Sequence, residues 1–147
     1  MLHSQSPQTP DEASVLRQNA EFYDAFAAMD LDRMTRCWFG ADSDTCVHPG
    51  WEFLVGWPEI HESWRAIFSG LSFVRFHAEI VSVRVVGDAA RVCCVENMMM
   101  ITHGVTAHSQ VAATNLFERQ DGEWRMVMHH GSPMAHSVSA EGAGPMN

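Results

Sequence analysis

The spacing of apolar side chains changes at Gly70: before it they recur every three or four positions, and after it they alternate every second position. The first spacing predicts helices and the second predicts strands. Thr9-Pro10-Asp11-Glu12 puts a hydroxyl at a cap, proline at the first helical position and glutamate three residues past the cap, which predicts a helix start. Leu16, Ala20, Tyr23 and Ala27, with Phe26 beside them, form its apolar stripe as far as about Met29. Asp30 is placed to cap a second, shorter helix over 31–39, in which Leu31, Met34 and Trp38 repeat at helical spacing. Pro58 opens a third helix with Trp57 at its cap. Glu59 and Glu62 suit its positive end, Ile60, Trp64, Ile67 and Phe68 make its buried stripe, and Gly70 ends it.

Segments 72–86, 89–103, 106–120 and 123–133 read as strands, separated by Gly87-Asp88, His103-Gly104 and Asp121-Gly122, which are hairpin turn signals. In the first of them Val74, Phe76, Ala78 and Ile80 alternate, and then Val81, Val83 and Val85 take over. A phase slip inside one long strand predicts a β-bulge, which bends a sheet. Between the second and third helices, Thr45–His48 and Phe53–Val55 fit short edge strands with Pro49-Gly50 turning between them. Three helices followed by a long bent antiparallel sheet predict an α+β domain in which the sheet curls around the helices into a cone.

The runs Phe22-Tyr23-Asp24-Ala25-Phe26, Cys46 to Trp57, Ser63 to Phe68, Ala113 to Arg119 and Gly122 to Pro133 resemble the SnoaL-like branch of the nuclear transport factor 2 (NTF2)-like superfamily. The resemblance covers nearly the whole predicted domain, residues 9–133, with polar Gly/Pro-bearing tails at 1–8 and 134–147. It implies a cystatin-like cone with a ligand held between the concave sheet face and the helices, and a homodimer through the convex face. In the best known enzymes of the superfamily a pocket aspartate shuttles protons. Here Asp42 and Asp44 lie in a polar loop, and nothing in the sequence aims either one inward.

Composition narrows the partners. A formal charge of −9 opposes a nucleic-acid or anionic-membrane binder, both of which need a basic patch. The opening residues carry neither a basic start nor an apolar run and no stretch reaches a membrane span, so the cytoplasm is the expected location. Cys37, Cys46, Cys93 and Cys94 lack metal-finger or disulfide-framework spacing and are expected as reduced thiols.

Candidate chemistry sits where polar groups interrupt apolar rows. Glu96 lies in the row Val92, Cys94, Glu96, Met98, Met100, where desolvation would raise its pKa. The alternative for this face is a dimer surface with Glu96 paired across it. Asn115 shares its row with Val111, Ala113 and Phe117. Tyr23, the only tyrosine, sits on the helical stripe and needs a hydroxyl partner if buried. His48 stands beside Trp51 and Trp57, which are either an aromatic wall or core plugs. His129 and His130 must face opposite sides, and strict alternation groups His130 with Trp124, Met126 and Met128.

These readings make His48, Glu96 and His130 the candidate catalytic groups. Tyr23, Trp51, Trp57, Trp64 and Asn115 are the candidate ligand contacts. The expected function is cofactor-independent acid/base chemistry of the isomerase, dehydratase, cyclase or hydrolase type on a small apolar carbonyl compound, without a metal. A non-catalytic ligand-binding or dimerisation module is the alternative, and a metal site of His48, His130 and Glu96 is a further one.

Overall fold

A computed structural model describes residues 8–135 and the backbone of 139–140. Helix α1 spans Pro10–Ala28. Thr9 Oγ1 accepts the Glu12 N–H at 3.0 Å and Glu12 Oε1 accepts the Thr9 N–H at 2.9 Å, so the predicted capping box is complete. Its buried face is rotated from the predicted stripe: Val15, Asn19, Phe22, Tyr23 and Phe26 are buried, Leu16 and Ala27 only half-buried, and Ala20 exposed. The large side chains decide this rotation, because turning Val15, Phe22 and Phe26 inward removes more apolar area from water than turning in alanines.

Helix α2 is Leu31–Cys37, capped by Asp30, whose side chain accepts the Arg33 N–H. It ends before the predicted limit because Trp38 turns extended and bridges in parallel to Met126. Short strands β1 (Thr45–Val47) and β2 (Leu54–Val55) follow, then α3, Trp57–Gly70. Trp57 is the first residue of α3, and its cap is Gly56 at φ 91°, a conformation that β-carbon-bearing residues rarely adopt.

The long strands are β3 (Phe73–Val86), β4 (Ala89–Thr102), β5 (Val105–Gln120) and β6 (Glu123–Pro133). The sheet runs β2-β1-β6-β5-β4-β3 and is antiparallel except where β1 joins β6 in parallel. Within the stretch expected as a C-terminal tail, the strand β7, Ser139–Ala140, pairs with Ala107 and His108 of β5. The tail expectations for 1–7, 136–138 and 141–147 fall outside the described residues. The predicted bulge lies between Ile80 and Ser82. A second one, where Leu116 pairs Met128 and Phe117 pairs Met126, leaves Val127 as an extra residue in β6. All three helices contact the sheet or its short strands, and the core between them is built on Phe22, Trp38, Trp64, Phe117 and Met126. The three helices and curled antiparallel sheet form the predicted α+β cone. No described helix is long and apolar enough to cross a membrane.

Candidate functional site

Four polar side chains meet on the inner sheet face. Glu96 of β4 is 2% exposed, and Asn115 of β5, Tyr23 of α1 and His129 of β6 are buried with it. Tyr23 Oη donates to Glu96 Oε2 at 2.6 Å. Asn115 Nδ2 donates to Tyr23 Oη at 3.2 Å and to Asn19 Oδ1 at 2.8 Å. His129 Nδ1 lies 2.6 Å from Asn115 Oδ1, an oxygen that can only accept, so the imidazole carries its proton on Nδ1. Its Nε2 is therefore a bare lone pair, and it faces Glu96 Oε2 at 3.9 Å. Glu96, Tyr23, Asn115 and His129 thus form a ring that hydrogen bonds close on three sides and that a 3.9 Å gap leaves open on the fourth.

Burial sets the charges in this ring. It raises the Glu96 carboxyl from its ordinary 4.5 to about 7, against the pull of the Tyr23 hydrogen bond. Burial, helped by the neighbouring His48 and His130, lowers His129 from 6.5 to about 3. Histidine is thus neutral wherever Glu96 ionises, and the pair is not a salt bridge. Tyr23 is held protonated, well above its usual range, chiefly by burial and then by the Glu96 charge. Glu96 is the one ring member that changes charge near neutrality.

His48 forms a second cluster above the first. Ser63 Oγ gives its single proton to the Ile60 carbonyl at 2.6 Å, so at 2.9 Å it accepts from His48 Nε2. His48 Nδ1 is then the bare nitrogen, with the Cys46 thiol 3.9 Å away. Burial lowers His48 to about 4, so it too is neutral at physiological pH. Its ring packs 4.7 Å from Trp64 and 4.8 Å from Trp51, and 6.4 Å separates it from the His129 ring. Trp64 is fully buried against Phe22 and Phe26, yet its indole N–H has no acceptor among the described residues.

Of the sequence candidates, Glu96, Tyr23 and Asn115 converge, while His48 and Trp64 pack beside the His129 ring. Trp51, 46% exposed, covers His48 from outside. Two candidates are elsewhere. Trp57 packs on Trp38 and His61 rather than near the ring. His130 pairs with Thr114, the neighbour of Asn115, and so faces the opposite side of the sheet, against Phe53. The extra residue Val127 inverts the alternation beyond Met126, so His129, not His130, shares the inner face with Trp124 and Met126. This also separates His130 from Glu96 and His48 in the proposed metal triad.

Asn19, Ser63, His129 and Cys94, whose thiol lies 3.3 Å from Tyr23 Oη, are the participants that sequence reasoning missed. Asn19, four residues before Tyr23 on the buried face of α1, was the readable signal. Asp44 is buried, but one of its carboxylate oxygens accepts the N–H groups of Gly40 and Ala41 and closes their loop, so this aspartate organises backbone.

Residues 15–136 match the family model described as a SnoaL-like domain. A proposed dehydratase of the NTF2-like family from Streptomyces avermitilis has a solved structure with TM-score 0.80 at 32% identity, spanning 86% of this chain and 99% of that one. A proposed calcium/calmodulin-dependent protein kinase type II association domain from Thiobacillus denitrificans gives TM-score 0.73 at 29% identity, over 88% and 99% of the two chains. The F-box protein SKIP8 of Arabidopsis thaliana is 29% identical over 121 residues, 82% of this chain, which spans about 50% of that relative's length.

Proposed function

The chain belongs to the SnoaL-like domain family, and from that premise we propose that it catalyses proton transfer on a small, uncharged, apolar carbonyl compound, with Glu96 as the base. The observation that carries this reading is a carboxyl group only 2% exposed in an apolar row, accepting the Tyr23 hydroxyl at 2.6 Å, a setting in which burial pushes its pKa up to about 7. A base is most effective when its pKa lies near the working pH. Glu96 takes a proton from the carbon beside the carbonyl. As its charge disappears, its hold on the Tyr23 hydroxyl weakens, and that hydroxyl turns to the oxygen on which negative charge collects. Return of the proton to another carbon completes an isomerisation. This outcome is favoured over dehydration or hydrolysis because His48 and His129 are both neutral near pH 7 and supply no second acid.

The test is hydrogen–deuterium exchange at the α-carbon of 1-indanone in heavy water, followed by proton NMR. Exchange is expected with the wild-type protein, with a rate that rises through about pH 7, and is expected to vanish in Glu96→Gln. Equal exchange in both proteins would remove Glu96 from the role.

A non-catalytic ligand carrier is the second reading, favoured by the way the four ring members already satisfy one another. Indanone that binds and is recovered without deuterium would select it. We also propose a homodimer through the outer sheet face, where exposed Phe53 packs beside His130.

A further inference from the structure

Protein interiors are filled to the density of organic crystals, so a gap between a helix and the sheet it covers needs a cause. Between α1 and β3 runs a trench of about 330 Å³. Its cause is three alanines. Ala20 and Ala27 flank Tyr23 on the edge of α1, and Ala78 stands across from them on β3. This edge of α1 is the alanine-bearing stripe that the larger side chains displaced from the core.

The trench is not a blind surface feature. Asn19 and Tyr23, both almost fully buried, form its floor. Ala78 is the direct cross-strand partner of Glu96, on the same sheet face. Side chains so paired stand about 5 Å apart, and Tyr23 on the trench floor donates its hydroxyl directly to the Glu96 carboxylate at 2.6 Å. The remaining lining is apolar, with Phe76 and Ile80, apart from Asp24 and His77 at the rim. Among the described residues no arginine lines it, and Asp24 at its rim opposes an anion.

We propose that this trench is the entrance to Glu96 and the subsite for the body of its substrate, an uncharged flat apolar ring compound whose single hydroxyl or carbonyl oxygen points to Tyr23 and Asn19. Ala20, Ala27 and Ala78 set the width of the subsite. The chemical role of the destination rests on the acid/base reading above; the test of the trench needs no turnover.

The probe is 2-naphthol, titrated calorimetrically into the protein at pH 7, with 2-naphthoate as its charged counterpart. Wild-type protein is expected to bind the naphthol, and to bind the naphthoate at least about tenfold more weakly. Ala78→Leu and Ala20→Leu, which fill the trench, are each expected to weaken naphthol binding at least about tenfold. Ala20 is exposed on a helix, so its leucine variant keeps the fold even where Ala78→Leu does not, and an unchanged melting temperature verifies this. Failure of the wild-type protein to bind naphthol, binding undiminished in Ala20→Leu, or naphthoate bound as tightly as naphthol would each overturn the proposal. The two readings fail separately. Indanone exchange lost in Glu96→Gln with naphthol binding intact in Ala20→Leu leaves the base and removes the route. Naphthol binding lost in Ala20→Leu with exchange intact in Glu96→Gln leaves the route and removes the base.

Discussion

At the scale of single residues, Glu96 decides the chemistry because it is where burial and hydrogen bonding act in opposite directions. Burial wins, and the carboxyl stands near 7 in spite of the Tyr23 hydroxyl. Removing that hydroxyl in Tyr23→Phe takes away the hydrogen bond that stabilises the anion, so the midpoint of the pH–rate profile is expected to rise by about one to two pH units, the equivalent of a hydrogen bond to a charged group. The same imbalance is a stability statement. A carboxyl raised from 4.5 in the unfolded chain to about 7 in the fold contributes stability that is fully present below 4.5 and lost as pH rises through 7. Glu96→Gln keeps the size and removes the charge, so it is expected to melt higher than wild type at pH 8, by the equivalent of at most about 3 kcal/mol, with the gap closing toward pH 5. Thermal melts at the two pH values measure this directly. The apolar row around Glu96 made its burial legible in the sequence. Its partners on α1 and β6 were less so, because they lie 73 and 33 positions away and only the packing of the helix on the sheet brings them near.

At the scale of elements, the ends of β6 and β1 position both histidines. Val127 shifts the register of β6 by one residue and turns His129 inward. Strict alternation, projected from Trp124, Met126 and Met128, selects the wrong neighbour because a bulge follows from strand pairing and leaves no mark in a row of apolar residues. The bulge in β3 was visible because it changed the apolar phase itself. Gly131, two residues beyond His129, lies against the turn that follows His48: a β-carbon there would stand 3.0 Å from Val111 Cγ1 and 3.2 Å from Pro49 Cγ. Neither a branched valine nor a proline ring yields easily. Gly131→Ala is therefore expected to destabilise the protein by about 1–3 kcal/mol, read by chemical denaturation, and to displace the His48 loop.

At the scale of the whole molecule, the buried titrating groups act in opposite directions with pH. His48 and His129, lowered from 6.5 to about 4 and about 3, contribute stability that is complete above 6.5 and lost as pH falls toward those values. Glu96 contributes in the other direction, up to about 7. Two histidines outweigh one carboxyl below 6.5, so these three groups place the stability maximum near pH 6.5, which a series of melts across the range from pH 4 to pH 9 would locate. The proposed homodimer is checked by light scattering, with twice the 16.4 kDa chain mass expected in solution. Changing the exposed Phe53 to Glu is expected to shift that mass toward the single chain.

The order of helices and strands, their turns, the cap of α1 and the bend of β3 were determined by the sequence alone, because spacing, capping residues and turn residues act over a few neighbours. The sequence also marked Tyr23, Glu96 and Asn115 as polar interruptions of apolar faces. Tertiary structure decided which edge of α1 the bulky side chains would bury, where β6 would bulge, which histidine would face inward, and that β1 would pair in parallel with β6. Each of these depends on which distant surface fills space best against another, a competition among side-chain volumes that becomes defined only when the helices close on the sheet.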